Sequence, residues 1–309
     1  MDPQLVSDVF GLGRAHRLSE PVARGELGEI RRLETDRGDW AIKRALEPGD
    51  EQANEVSTAY HRQCWEAGLP TPEPIRAVSG SFVARVAGED LRAYAWVDLD
   101  DPDRELDPVE VGELVAALHA VRQPAGGVVH EWFEAPIGAR EWTRVLQASR
   151  EVGAPYTDRL AELLPALIDV ESILAPMAGV QRCHLDLWSD NVRRTAGGEL
   201  TVIDFDNSGP ADPGRELTMV VFEFGHGDED RRRTVYHAYR AAGGPGRVTG
   251  RDSCAMTIAQ LHHIGHRHLT MWLAARDDTA RERPLAGVEE FLSEPLLLPE
   301  VDQIVAELL

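Results

Sequence analysis

Lysine is almost absent from this chain of 309 residues: Lys43 stands alone beside 31 arginines. Arginine replaces lysine freely on a surface, but not at a phosphate site that needs a compact point charge. Lys43 is therefore marked as a position where arginine does not serve. Cysteine is also scarce. Cys64, Cys183 and Cys254 are odd in number and far apart, which gives neither a disulfide framework nor a zinc motif. No apolar run approaches the ~20 residues of a membrane span, so no membrane partner is expected. Met1 to Phe10 is acidic and lacks the apolar centre of a signal peptide. A reducing cytoplasm fits these absences. Positive charge is in deficit as well, with a formal net charge of −21. That argues against nucleic acid, whose phosphates need a basic surface. The deficit is uneven: −4 over residues 1–97 and −17 over residues 98–309. An acidic second part attracts a cationic molecule, although acidic surfaces also simply keep proteins soluble. The pattern G-x4-G-K-[S/T] is missing, which excludes a P-loop, and no repeat or low-complexity segment occurs.

What is present gathers between Cys183 and Asp206. His184-x-Asp186-x4-Asn191 is followed, 13 residues after Asn191, by Asp204-Phe205-Asp206. Glu199 to Phe205 has the apolar, β-branched content of a buried strand, and Thr195 to Gly198 reads as the turn before it. A loop and a strand end thus deliver two carboxylates and one carboxamide. Oxygen ligands of this kind suit Mg²⁺, which shares its shell with phosphates. One carboxylate for an acceptor hydroxyl, with an Asn and an Asp for metal, is what phosphoryl transfer requires. Three polar positions alone are a weak motif; the adjoining strand with its terminal Asp makes the pattern specific.

The first third reads as short strands. Ser19 to Arg24, Ile30 to Leu33 and Trp40 to Lys43 are separated by turns at Gly25 to Gly28 and at Asp36 to Asp39. A Gly-containing hairpin lets backbone N–H groups approach phosphates. Asp50 to Ala67 has a partial helical stripe, stopped by Gly68-Leu69-Pro70. Glu51 and Glu55 lie one turn apart on it, and either is placed to pair with Lys43; Glu55, deeper in the helix, is the preferred partner. Ile75 to Val78, Ser81 to Val86 and Leu91 to Leu99 read as extended. Composition shifts at Asp100 to Asp103, which puts a lobe boundary at residues 97/98. From Pro108 the pattern is helical apart from the motif region, over Val109 to Val121, Glu141 to Glu151, Tyr156 to Leu174, Arg215 to Phe224, Asp228 to Ala242, Asp252 to Ala275 and Val301 to Leu309. The order is α+β rather than alternating βαβ, as two lobes, 1–97 and 98–309.

These residues resemble the aminoglycoside phosphotransferase family, small-molecule kinases with a bilobal protein-kinase-like fold. The resemblance runs from about Ser19 to Ala242. It is carried by Ala41-Ile42-Lys43, by His184 to Asn191, by Ile203 to Asn207, and by Leu118 to Val121 and Gly209 to Pro213. It implies an ATP-dependent enzyme. Asp186 would take the proton of the acceptor hydroxyl, and Asn191 and Asp204 would hold Mg²⁺. Lys43 would bridge phosphate oxygens, with Glu55 as its partner, while Gly25 to Gly28 would close over the triphosphate. The backbone of Ala95, Trp96 and Val97 would face adenine, and His184 would support the loop. Scarce glycine in the nucleotide loop leaves GTP open beside ATP. Many relatives have Gly where Leu185 and Asp190 stand, and often Asp where Glu216 stands; Glu216 reads as structural. The implied acceptor is a hydroxyl on a small cationic molecule, such as an aminoglycoside antibiotic or amino sugar. The alternatives are a choline, homoserine, glucosamine or ketosamine kinase of the same fold, and a catalytically silent nucleotide-binding regulator. The quaternary state is open between monomer and homodimer.

Other signals are read as structural. His262 and His266 are one turn apart and suit a shared metal, but HExxH lacks its Glu here, and helix packing is the preferred reading for the histidines of 262–268. Asp228 to Asp230 reads as an N-cap cluster. Trp132, Trp142 and Trp188 are assigned to packing, with sugar stacking as the alternative.

Overall fold

The computed structural model describes residues 1–24, 28–46, 50–124, 128–177 and 181–309. Helix α1 (Pro3–Phe10) precedes strands β1 (Ala15–Leu18), β2 (Ala23–Arg24), β3 (Gly28–Thr35) and β4 (Gly38–Ala45). Helix α2 (Glu51–Glu66) follows, then β5 (Pro74–Ile75), β6 (Ala84–Val86) and β7 (Glu89–Ala95). The strands build an antiparallel sheet in the order β1-β3-β4-β7-β5, with β2 beside β3 and β6 beside β7. Alternation splits its residues between two faces. Leu33, Ile42, Leu91 and Ala93 pack with Val6 and Phe10 of α1. The register Ile30–Lys43 and Lys43–Arg92 puts all three on the opposite face, which turns toward α2 and the rest of the chain. Asp50 starts α2 by accepting from the N–H groups of Gln52 and Ala53, satisfying donors that the first turn leaves open.

The remainder is mainly helical: α3 (Pro108–Ala120), α4 (Ala139–Val152), α5 (Thr157–Val170), α6 (Pro213–Gly225), α7 (Glu229–Ala241), α8 (Ala255–Ala274), α9 (Asp278–Ser293) and α10 (Leu298–Leu308). Between α5 and α6 lie β8 (Gln181–Cys183), β9 (Val192–Arg194), β10 (Leu200–Val202) and β11 (Gly209–Ala211), paired as β8–β11 and β9–β10. Asp107, Asp212 and Asp228 cap α3, α6 and α7, as expected for the 228–230 cluster. Leu118, Leu185, Leu187, Val192, Leu217 and Phe224 share one core; Trp142, Leu160, Leu167, Trp272 and Phe291 form a second among α4, α5, α8 and α9. No helix among the described residues is long and apolar enough to cross a membrane.

Three elements depart from the sequence pattern. The strand expected over Glu199 to Phe205 covers only Leu200–Val202, because Asp204 takes a left-handed backbone conformation with φ 58°. Helix α5 ends at Val170 rather than at Leu174. Helix α9 has no announcing pattern, since Pro284 lies inside it and reads as a breaker.

Candidate active site

The loop from β8 to β9 carries Asp186 and folds it back on Asn191. One Asn191 Nδ2 proton goes to the Asp186 backbone carbonyl and the other to Asp186 Oδ2, each at 2.9 Å. Asn207 Nδ2 donates to the same Oδ2 at 3.1 Å. Burial pushes the Asp186 carboxyl up to about 7, and the neighbouring Asp204 charge adds to the rise against the two amides. His184 is buried, donates through Nε2 to the Ile203 carbonyl at 3.0 Å, and meets the Phe205 ring edge-on at 4.6 Å. Burial pushes its imidazole down, so it stays neutral and supports the loop by packing.

The loop backbone is held from α6. Glu216 is fully buried and accepts from the N–H groups of Leu185 and, at 3.3 Å, His184. Its Oε2 also accepts from His119 Nε2 at 2.7 Å, and the Tyr239 hydroxyl donates to His119 Nδ1 at 2.8 Å. Burial opposes the Glu216 charge, but His119 and the loop amides outweigh it and hold the carboxyl low. Leu185 sits at φ 67°, a region that costs a side-chain-bearing residue roughly 1–2 kcal/mol. Its buried side chain reaches toward Gly209, where an added Cβ would lie 3.1 Å from Leu185 Cδ1.

Lys43 reaches this loop from the sheet. Its ammonium donates to Asp204 Oδ1 at 2.7 Å and lies 2.8 Å from Asp206 Oδ2. Arg92 grips Asp206 with two bonds, 2.5 and 2.7 Å long. Burial works against the Asp206 carboxylate, but Lys43 and Arg92 outweigh it and hold it below the usual range. The expected Lys43–Glu55 pair is not formed. Glu55 Oε2 accepts from Ser81 Oγ and from the N–H groups of Phe82 and Val83, at 2.7 to 3.1 Å. The helix therefore spends this carboxylate on the turn before β6, and Glu51 is exposed at its first residue. A Cβ on Gly28 would meet the Arg44 carbonyl at 2.9 Å and Lys43 Cε at 3.4 Å, so the strand closes tightly over the lysine stem. Gly25 lies outside the described residues. Of the three amides expected at adenine, Ala95 donates to Glu73 O and Trp96 to Asp39 O. Val97 N–H has no such partner among the described residues.

The donor set suits a hard cation. Both Asn191 Nδ2 protons are used on Asp186, which leaves Asn191 Oδ1 as a free acceptor; Asp204 Oδ2 is likewise without a hydrogen-bond donor among the described residues. Amide and carboxylate oxygens of this kind fit Mg²⁺.

Beyond Asp186 the loop borders a cavity of about 280 Å³. Trp188, Phe222 and Phe291 give it apolar walls, and Asp190, Glu223, Glu290 and Glu294 give it acid around the guanidinium of Arg104. Glu223 accepts from Ser189 N–H at 3.1 Å and faces Arg104 Nε at 3.2 Å. Trp188, assigned to packing from the sequence, is part of this wall, whereas Trp142 is buried in the core and Trp132 stacks on His263. The α8 histidines do not converge on a metal. His262 bonds Glu171, His263 the Ala135 carbonyl and His266 Glu141, at 2.8 to 3.1 Å. Arg92 was not singled out from sequence and carries no motif signal. Asn207 ends the motif Ile203 to Asn207 but has no role of its own in that reading. Glu289-Glu290 is open from sequence between substrate binding and a helix charge cluster; the remaining α9 residues at the cavity hide behind its proline.

A strand-rich part that delivers a lysine to a helical part bearing Asp186, Asn191 and Asp204 defines a protein-kinase-like small-molecule phosphotransferase. Residues 20–256 match the model of the phosphotransferase enzyme family; the chain belongs to that family. No curated protein matches the chain significantly. Among solved structures, the aminoglycoside phosphotransferase of Alicyclobacillus acidocaldarius is similar at a TM-score of 0.63 and 14% identity, over 100% of this chain and 95% of that one. An AMP-bound spectinomycin phosphotransferase gives 0.66 and 15%, over 98% and 96%. The ethanolamine kinase of Plasmodium vivax gives 0.56 and 11%, over 92% and 83%. At these identities the likeness is one of fold.

Proposed function

We propose that the chain transfers the γ-phosphoryl group of Mg·ATP to a hydroxyl of a small cationic acceptor, of the aminoglycoside or amino-sugar kind. The observation that carries this reading is the meeting of Lys43, Asp204, Asn191 and Asp186 beside an acidic, aromatic-walled cavity. Residues 1–97 would bind nucleotide, and residues 98–309 would carry the catalytic loop and the acceptor. Asp186 orients the acceptor hydroxyl and takes its proton; a carboxyl raised by burial is well matched to that task near neutral pH. Asn191 and Asp204 hold the metal, which when bound neutralises charge on the phosphates. Lys43 contributes its fixed charge to the same oxygens, and the chain otherwise acts by positioning. Trp188 lies two residues beyond Asp186, so its Cα is at most roughly 7 Å away along the chain. The cavity it borders is therefore within reach of an acceptor whose hydroxyl meets Asp186. Asp190 and Glu290 favour an ammonium there, Glu223 being matched by Arg104, and the aromatic walls favour an apolar or ring-shaped body. Three buried free thiols accord with a cytoplasmic site of action.

The test is a panel of aminoglycosides, amino sugars, choline, ethanolamine and homoserine with labelled ATP, with and without Mg²⁺. Phosphorylation of an amino sugar or aminoglycoside, lost in Asp186→Ala, is the expected result. Turnover of a simple metabolite alone would overturn the acceptor assignment. Unchanged turnover in Asp186→Ala would overturn the mechanism.

A further inference from the structure

Lys43 and Arg92 are direct partners across β4 and β7, so two cations stand side by side on one face of the sheet. Like charges directly opposite each other are unfavourable, and Arg92 is 6% exposed. The arrangement holds because Asp206 lies between them. Both oxygens of Asp206 are engaged by Arg92, and Oδ2 is shared with Lys43. Such a fork fixes direction as well as charge. An ammonium has three protons. Here one goes to Asp204 and one faces Asp206, which leaves a third for another acceptor. Asp204 has an open oxygen and suits a metal, whereas both oxygens of Asp206 are already engaged. Helix α2 contributes no partner to Lys43 among the described residues, since Glu55 is committed to the Ser81 to Val83 turn.

We propose, on the premise of the kinase reading above, that Arg92 is a positioning residue for the nucleotide phosphates. It acts through Asp206, which replaces a helix-borne glutamate as the standing counterion of Lys43. Asp204 would thereby be available to hold a metal with its open oxygen, while Asp206 stays clamped by Arg92 and keeps the ammonium aimed. Nucleotide affinity is consequently uncoupled from the helix glutamate and coupled to a strand arginine.

The test is Mg·ADP binding by calorimetry, together with separate KM values for ATP and acceptor, for wild type, Arg92→Gln, Arg92→Lys, Asp206→Asn, the Arg92→Gln/Asp206→Asn pair and Glu55→Gln. Arg92→Gln is expected to weaken Mg·ADP by about tenfold or more and to raise KM for ATP in step, with the acceptor KM unchanged. Arg92→Lys keeps the charge but loses the fork and falls in between. The double variant binds no more weakly than Asp206→Asn, because Arg92 works through that carboxylate. Glu55→Gln binds Mg·ADP like wild type. Wild-type affinity in Arg92→Gln, multiplied losses in the double variant, or an equal loss in Glu55→Gln would overturn the proposal. If circular dichroism shows Arg92→Gln unfolded, Arg92→Lys decides, and wild-type affinity there overturns it. A wild-type protein that binds no Mg·ADP sinks the kinase reading itself; normal binding with indifferent Arg92 variants sinks only this inference.

Discussion

Acid should destabilise this protein through His61, a residue outside the catalytic motifs. His61 is on α2, 3% exposed, stacked 4.1 Å from the Phe205 ring and 5.4 Å from Tyr94. The Thr71 hydroxyl gives its proton to the Val202 carbonyl at 2.6 Å, so His61 Nε2 must donate to Thr71 Oγ1, also at 2.6 Å. A second proton on Nδ1 would put a charge between two rings. Burial pushes the imidazole down to about 3; the cations Lys43 and Arg92, with His184 nearby, add to this against Asp206. The unfolded chain binds this proton near pH 6.5, while the folded chain resists it. The contribution to stability is thus full above about pH 6.5 and is lost as pH falls, by up to about 1.4 kcal/mol per unit. At about pH 5 the loss reaches roughly 2 kcal/mol. Urea unfolding near pH 7.5 and near pH 5 checks this in wild type and His61→Gln, which keeps a donor for Thr71 but does not titrate. The variant is expected to be weaker near neutrality, yet to lose roughly 2 kcal/mol less on acidification. Equal losses in the two proteins would refute the reasoning.

Two further outcomes follow from the loop anchors. Leu185→Gly relieves backbone strain but empties a packed site, and we expect a net loss of about 1–3 kcal/mol in unfolding free energy. A stabilised variant would show that the strain at this turn outweighs the packing of the leucine side chain. Glu216→Gln loosens the backbone under Asp186; kcat should fall by roughly a hundredfold while KM for ATP stays near wild type, as steady-state kinetics will report.

The parts legible in the sequence were those fixed by short spacing. Asp186 and Asn191 share one loop, Asp204 ends the following hairpin, and Lys43 is marked by the absence of other lysines. Arg92 was not legible, because its role depends on the β4–β7 register and on a carboxylate 114 residues away. Glu55 misled for a related reason. Helical spacing gives the face on which a glutamate stands but not the turn that faces it, and the N–H groups of Phe82 and Val83 claimed it. The cavity was hidden because one of its walls is α9, whose Pro284 breaks the pattern without breaking the helix. Glu216 read as structural, and its bonds to His119 and the loop amides agree with that.

Glu216 also bears on the order in which the molecule can be built. Its partners lie 97 residues upstream at His119 and 31 upstream at Leu185. Contacts so distant along the chain form only after the intervening loops have closed. The left-handed turn at Leu185 is held from α6 by Glu216 and from α8 by Gln260, whose Nε2 donates to the Leu185 carbonyl at 2.8 Å, so the catalytic loop settles only once α3, α6 and α8 have met. On a refolding time course, helical signal would come first and phosphoryl transfer last. A nascent chain released before α6 would hold every residue of the His184 to Asn191 motif and still be unable to use it.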